Sequence, residues 1–349
     1  MSNRNITTVS AVTFTLASLV LNCPVTLAVT TLDSSHPVSS AAAPLDPITV
    51  MGNESCVKCH AAEIQVWKTT PHNRTFEELH RRPEAKAIAT KLGLQSIKNE
   101  GRCVACHYTE QSQAGGDPHV IAGVSCESCH GGAKNWLDLH QDYGGEGITR
   151  LSESPEHRQA RILKSVAAGM RNPANVYSVA QSCLRCHTTA DEQLVNVGGH
   201  SAGSLEFEFV SWSQGTIRHN FVRSDGKTND VSDTDRLRVM FVAGMIAELE
   251  SSLRATAVAT EKATYGVTVA KRGARAGARL KSVAAKVESP KLDEILAVFG
   301  SVTLKLNNRD DLIQAADKIS VLGYQFAETV DGSTFGSLDS FIPSSDRYK

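Results

Sequence analysis

Aromatic side chains, net charge and uninterrupted apolar runs are all scarce in this sequence. Aromatic residues make up 5% of the 349 residues, and the 41% apolar fraction consists largely of Ala and Val. The 36 basic and 37 acidic residues almost cancel, so no overall positive charge points to a nucleic-acid partner. We therefore expect no nucleic-acid binding, and we expect something other than Phe and Trp to fill part of the interior.

The first 28 residues resemble a secretory leader, because a single Arg near the start precedes a mostly uncharged run that ends in Thr-Leu-Ala. Thr, Ser, Asn and Pro24 interrupt this run and argue against a membrane span, while an uncleaved anchor stays open. Cys23 follows Asn22, which is not the small residue of a lipoprotein signal. Residues 29–48 are rich in Ser, Ala and Pro. We predict a signal peptide at 1–28, a disordered linker at 29–48 and export to the periplasm.

Cysteine, in contrast, is plentiful and strictly patterned. Eight of the nine cysteines form four copies of Cys-x-x-Cys-His. The copies are Cys56, Cys59 and His60; Cys103, Cys106 and His107; Cys126, Cys129 and His130; and Cys183, Cys186 and His187.

This spacing is typical of covalent haem attachment. Two thiols add to the two vinyl groups of the porphyrin, and the adjacent histidine becomes the proximal ligand of the iron. A zinc site formed by the pairs Cys103/Cys106 and Cys126/Cys129 has a plausible spacing, but it leaves the four adjacent histidines unexplained. Disulfides or a redox-active pair fit an exported chain, yet neither needs a histidine at the next position. The pattern predicts four covalently bound haem c groups with iron.

Four haems also account for the composition. Each macrocycle is a large, flat, apolar body around which a loop-rich chain can fold, so the haems substitute for aromatic side chains in the core. Thioether attachment in bacteria takes place outside the cytoplasm, in agreement with the leader.

Eight histidines lie outside the motifs, and at most four of them are second axial ligands of the irons. They are His36, His72, His80, His119, His140, His157, His200 and His219.

Longer stretches around the motifs resemble the tetrahaem cytochrome c-554 family. The stretches are, in order, CVKCHAAEIQVWKTTPH, CVACHYTE, GVSCESCHGGAKNWLDLH and SCLRCHT, and the resemblance covers roughly residues 52–225. Its most distinctive parts are the spacing from Trp67 to His72 and a histidine ten residues after the third motif. The resemblance implies a mainly α, loop-rich tetrahaem cytochrome core.

The resemblance also implies axial ligands. In that family the first and third haems stack and exchange their distal histidines, which implies His140 for the first iron and His72 for the third. The fourth iron takes a histidine from well downstream, here His219, with His200 as its rival.

The second iron of the family lacks a protein sixth ligand. Here His200 and His119 are left over as candidates, and the two glycines before His200 would let its backbone approach a haem closely. We favour His200 as the sixth ligand of the second iron. His80 and His157 lie in charged helical contexts that indicate a surface position.

The chain changes character near residue 231. An apolar residue recurs every four positions from Leu237 to Leu253, Pro290 follows Ser289 at a helix start, and Asn308 has the place of an N-cap. No cysteine or histidine occurs in 231–349. We predict a tetrahaem domain at 49–230 and a helical bundle at 231–349.

The segment 262–287 of this bundle contains no acidic residue. Lys271, Arg275 and Arg279 form a basic stripe that is either a solvated helix face, a docking site for an acidic redox partner or a partner for haem propionates.

Two functions fit the sequence. The first is electron transfer between redox partner proteins, with a membrane-associated quinol-oxidising protein as one candidate partner; bis-histidine irons then need no catalytic residue. The second is a small-molecule oxidoreductase that acts on nitric oxide, nitrite or hydroxylamine at a five-coordinate haem. We favour the non-enzymatic carrier, because CxxCK motifs of the nitrite-reducing type are absent from the sequence.

Overall fold

The computed structural model describes residue 1 and residues 44–99, 101–114 and 116–349. The predicted signal peptide beyond Met1, the predicted linker up to residue 43, Cys23 and His36 lie outside the described residues. From residue 44 onward the described residues belong to one compact unit. Among them, no helix combines the length and the apolar character that a membrane crossing requires.

The mainly α fold class predicted from the sequence is confirmed. The described residues contain fourteen α-helices, one two-stranded sheet and several 3₁₀ turns. The elements are α1 Glu54–Val57, α2 Ala61–Thr69, α3 Pro71–Glu78, α4 Pro83–Lys91, α5 Gly101–His107, β1 Thr109–Gln111, β2 His119–Ala122, α6 Cys126–His130, α7 Pro155–Ala167, α8 Val176–His187, α9 Glu192–Asn196, α10 Phe209–Ser213, α11 Thr234–Ala257, α12 Thr264–Ala284, α13 Pro290–Gly300 and α14 Arg309–Thr329.

Each of the four motifs lies on or beside a short helical turn. The first begins in α1 and ends at the residue before α2, the second ends α5, the third makes up α6, and the fourth ends α8. Residues three and four positions apart share one face of a helix, so the two cysteines and the histidine of each motif point to the same side. Helical backbone at the motifs thus presents thiols and imidazole together.

The β-hairpin joins the second and third motifs. β1 pairs with β2 in antiparallel register, with Gln111 opposite His119. Thr109, at the start of β1, is buried and bonds through its hydroxyl to Gly123 O and Ser128 Oγ, which lies inside the third motif. The hairpin therefore holds the third motif against the residues that follow the second.

The core is centred on α11. Almost every residue from Met240 to Ala257 is buried, because the helix packs against α8, α12 and α14 and against a 3₁₀ segment at Gly332–Phe341. A helix that is buried on all sides needs no amphipathic stripe. Since α8 lies before residue 230 and the other helices after it, the two predicted domains share one hydrophobic core.

Helix starts after residue 231 follow the sequence expectations with one exception. The side chain of Asp233 caps α11, and Pro290 opens α13 directly after Ser289. Asn308 precedes α14 as predicted, but its side chain donates to Thr303 O instead of capping the helix. The helix therefore begins where the N-cap prediction for Asn308 places it, but the prediction that the Asn308 side chain caps the helix is wrong.

Candidate metal and cofactor centre

The motif histidines each face one histidine from outside the motifs. The four pairs are numbered here as the first to fourth site, after the motif that each contains. The ring centroids are 6.3 Å apart in the first site (His60 and His140), 6.3 Å in the second (His107 and His200), 6.1 Å in the third (His130 and His219) and 6.2 Å in the fourth (His187 and His72).

This separation fits an iron that is bound by both rings. Two metal–nitrogen bonds of about 2 Å account for about 4 Å of the centroid distance, and the remainder, about 1.1 Å per ring, is the distance from the ring centre to its nitrogen. Direct ring stacking would bring the centroids closer or would offset the rings. Four separate pairs with nearly equal spacing, one per motif, therefore fit four bis-histidine haem irons.

The second nitrogen of the rings supports the same conclusion. In six of the eight rings, Nδ1 lies beside a hydrogen-bond acceptor, which leaves Nε2 available to a metal, as is usual for ligand histidines. The acceptors are the Glu63 carboxylate for His60, Arg171 O for His130, Leu137 O for His140, Ser204 Oγ for His187, Ser201 O for His200 and Ile217 O for His219.

Burial keeps most of these rings neutral. Loss of solvent lowers the pKa of His107, His130 and His187 to about 4 each. His60 is the exception, because the Glu63 carboxylate 3.7 Å from its Nδ1 raises its pKa. A neutral imidazole has the lone pair that binds iron.

Two of the expected histidine pairs are brought together. His140 faces His60 and His200 faces His107, in the partnerships that the sequence analysis favoured. His140 is positioned by Arg161, whose guanidinium donates to His140 O at 2.6 Å and binds the Glu153 carboxylate. His200 follows Gly199, whose φ of +80° makes the tight turn after α9.

The other two distal histidines are exchanged relative to expectation. His72 faces His187 of the fourth site, not His130 of the third, and His219 faces His130, not His187. The expected assignments of His72 to the third iron and of His219 to the fourth are therefore at odds with the structure.

Tertiary contacts hold both segments in place. The chain at His72 is held against the segment before the third motif by a bond from Val124 N to His72 O, and Thr75 Oγ1 donates to His107 O. On the other side, the segment at His219 is held by a bond from Thr216 N to Lys349 O. These contacts link residues that are far apart in sequence, so spacing along the chain could not reveal them.

The cysteines show which sites are neighbours. The Cys56 thiol contacts that of Cys126, and the Cys106 thiol contacts that of Cys186. Cys129 is within electrostatic range of Cys186. The sites therefore follow one another in the spatial order first, third, fourth, second.

The remaining described histidines lie outside the four pairs. His119 is exposed at the start of β2, and His80 lies beside Arg81. His157 bonds through Nδ1 to Glu153, the carboxylate that also binds Arg161. His157 thus supports the contact that positions His140.

Glu127 is a buried carboxylate that the sequence analysis passed over. Its side chain is 1% exposed and accepts hydrogen bonds from the backbone N–H groups of Met51, Gly52 and Ala133. Its place between the two cysteines of the third motif is the signal that could have identified it.

Arg272 is a second buried charged residue at the site that the sequence pattern did not indicate. It is 2% exposed, and it donates from Nη1 to His187 O at 2.9 Å and from Nε to Glu248 at 3.2 Å. Its Nη2 is buried without a hydrogen-bond partner in the described part of the chain. An arginine of α12 therefore reaches the fourth motif directly.

The basic stripe of α12 is only partly a surface. Arg275 and Arg279 lie 3.9 Å and 3.2 Å from the Glu248 carboxylate, whereas Lys271 is exposed. Arg275 also donates to Leu205 O. Arg275 is 50% exposed and Arg279 37% exposed, so the alternative of a solvated helix face agrees with the structure, although both arginines also reach the buried Glu248 carboxylate.

Comparison with known proteins finds similarity over the region of the first three motifs. Residues 55–131 match the model of the family described as cytochrome c554 and c-prime. Cytochrome c-554 of Nitrosomonas europaea is 34% identical over 100 residues, which cover 27% of this chain and 43% of the relative. The C-type polyheme cytochrome OmcB of two Geobacter sulfurreducens strains is 24% identical over 134 residues, which cover 35% of this chain and 18% of the relative. The matched segment thus spans less than half of each relative, and no solved structure matches the chain significantly.

Proposed function

We propose that this chain, a multihaem c-type cytochrome with a cytochrome c554-family segment at residues 55–131, binds four haem c groups and carries electrons between redox partner proteins. The observation that carries the proposal is the set of four histidine pairs at 6.1–6.3 Å, one pair for each motif. Haem supplies one-electron chemistry, and the chain's own residues attach, ligate and order the four groups.

The pairing of every motif histidine supports a carrier. An iron with two nitrogen ligands from the protein has no position for a small molecule, and its ligands stay in place when its charge changes. At the second site, where family resemblance implies an open position, His200 decides whether the iron can bind a small molecule. The oxidoreductase alternative requires His200 to stay off the iron.

The haem count is tested by intact-mass measurement of the exported protein. We expect the mass of the polypeptide plus four haem masses. A lower count, with disulfides linking Cys56 to Cys126 or Cys106 to Cys186, would contradict the proposal, because a disulfide removes the thiols that attach haem.

The coordination is tested by electron paramagnetic resonance of the oxidised protein and by adding carbon monoxide to the reduced protein. We expect four low-spin signals and no spectral change with carbon monoxide. A high-spin signal in the oxidised protein, together with a carbon monoxide adduct of the reduced protein, would favour the oxidoreductase at a five-coordinate haem.

Localisation and partners extend the same proposal. The leader-like residues 1–28 and the chemistry of thioether attachment support a periplasmic location. The partners are one-electron redox proteins, among which a membrane-associated quinol-oxidising protein is a candidate donor. Haem-stained gels of cell fractions test this: haem protein that stays with the cytoplasmic fraction would contradict it.

A further inference from the structure

We propose that two oppositely charged side chains, Glu63 at the first site and Arg272 at the fourth, set the lowest and the highest of the four midpoint potentials. The inference rests on the proposed function, since it concerns the irons that the four histidine pairs would hold. It goes beyond that function because it gives the electron path a direction.

Negative charge gathers at the first and third sites. The Glu63 carboxylate lies 3.7 Å from Nδ1 of His60 and is also within electrostatic range of His219. A carboxylate this close to a ligand histidine stabilises the more positive ferric state electrostatically and so lowers the potential. The buried Glu127 carboxylate, whose hydrogen bonds come from three neutral backbone N–H groups, lies near Cys56 and acts in the same direction.

Positive charge gathers at the fourth site. Arg272, Arg275 and Arg279 face the carboxylate of Glu248, and Glu208 lies within electrostatic range of Arg279. Three positive guanidinium groups and two negative carboxylates together carry a formal charge of +1.

This charge acts on the fourth site through a direct contact. Arg272 donates to the backbone oxygen of His187, and its side chain is almost completely buried, so solvent screens it weakly. A nearby positive charge disfavours the more positive ferric state and raises the potential. Arg171 and Arg185 lie within electrostatic range of both Cys186 and Cys129, so they act on the fourth and the third site alike.

Because the sites lie in a fixed spatial order, this charge difference gives electron transfer between them a direction. The first, third and fourth sites are consecutive neighbours, so the potential rises along a continuous path. With haem bound, one electron would pass from the first site to the fourth, with no proton or covalent bond transferred. Its donor and final acceptor are one-electron redox proteins.

The test is a reductive titration of the complete haem protein, followed by visible absorbance, that resolves four midpoint potentials. Glu63→Gln is expected to shift the lowest potential upward, and Arg272→Gln to shift the highest potential downward. Glu84→Gln and Lys271→Gln, which change exposed charges of the same kinds, are expected to leave all four potentials in place. No assignment of spectra to individual haems is needed, because the prediction concerns which end of the series moves.

The inference is overturned if Glu63→Gln moves the highest potential, if Arg272→Gln moves the lowest, or if neither variant moves any. Should Arg272→Gln fail to fold, Arg279→Gln decides: its side chain is 37% exposed, and it should shift the highest potential downward by a smaller amount. Variants that keep four low-spin haems and show unshifted potentials would contradict this inference but not the proposed function. A protein with fewer haems would sink the proposed function itself.

Discussion

The rings of His107 and His200 face each other at 6.3 Å although the two residues are 93 positions apart in the sequence. His107 ends α5, and His200 follows the glycine turn after α9, so two separate helices converge on one point. This contact separates a carrier from a catalyst, because it occupies the position that a substrate would need at the second site.

Replacing His200 is expected to open that site. His200→Ala should convert one of the four low-spin haems to high spin and create one carbon-monoxide-binding site, since alanine offers no ligand. Electron paramagnetic resonance and the visible spectrum of the carbon monoxide adduct measure the change. His119→Ala, which removes an exposed histidine, is the matched control and should leave four low-spin haems. If the unchanged protein already binds carbon monoxide, His200 is not a ligand.

The assignments of His72 to the fourth site and His219 to the third can be tested in a variant that lacks the third haem. Replacing Cys126 and Cys129 by Ser removes the third haem, so the additional change His219→Ala should then add no high-spin signal. His72→Ala in the same background should add one, because His72 faces His187. This second variant also checks that the background folds. A high-spin signal from His219→Ala in this background would return His219 to the fourth site.

The shared core predicts that the C-terminal helices and the haem region unfold together. Leu249 of α11 is completely buried, so Leu249→Ala should cost about 2–5 kcal/mol of stability. The midpoints of thermal unfolding followed by helical circular dichroism and by haem absorbance should fall by the same amount.

The control for that experiment is Leu163→Ala, at a leucine that is 51% exposed. It should change the stability by no more than about 0.5 kcal/mol. A haem transition that stays in place while the circular dichroism transition falls would establish two independent domains.

The ion pair of Glu153 and Arg161, which supports His140, predicts that the stability of the protein depends on pH in the acid range. Arg161 holds the pKa of Glu153 at about 2, below its ordinary value of 4.5. Because the folded pKa is depressed, the stabilisation is complete above about pH 4.5 and is lost as the pH falls towards about 2. Glu153→Gln should therefore be less stable than the parent at neutral pH and should show a smaller loss of stability on acidification.

Urea unfolding at about pH 6 and about pH 3 measures this difference. Glu156→Gln changes an exposed carboxylate on α7, the helix of Arg161, and should keep the parent's pH dependence. An equal acid sensitivity in Glu153→Gln and the parent would contradict the role of the Glu153–Arg161 pair.

The sequence by itself determined the cofactor chemistry, the mainly α class and the helix start at Pro290. These features are local: a thiol pair and a histidine within five residues, an apolar period of about four, and capping residues act over one or two helical turns. The rest required contacts between distant segments. The partners of His72 and His219 are decided by tertiary packing, because His72 faces His187 and His219 faces His130 across long stretches of sequence.

Burial of charge was likewise decided by the tertiary structure. In the sequence, Arg272 is one of several basic residues in a helix, and Glu127 is one residue between two cysteines. Only packing of α12 against α11 removes Arg272 from water and brings it to His187, and only the fold brings three backbone N–H groups to Glu127. A charge acquires a strong local field when solvent is excluded from it, and the exclusion of solvent is a property of the assembled core rather than of any short segment.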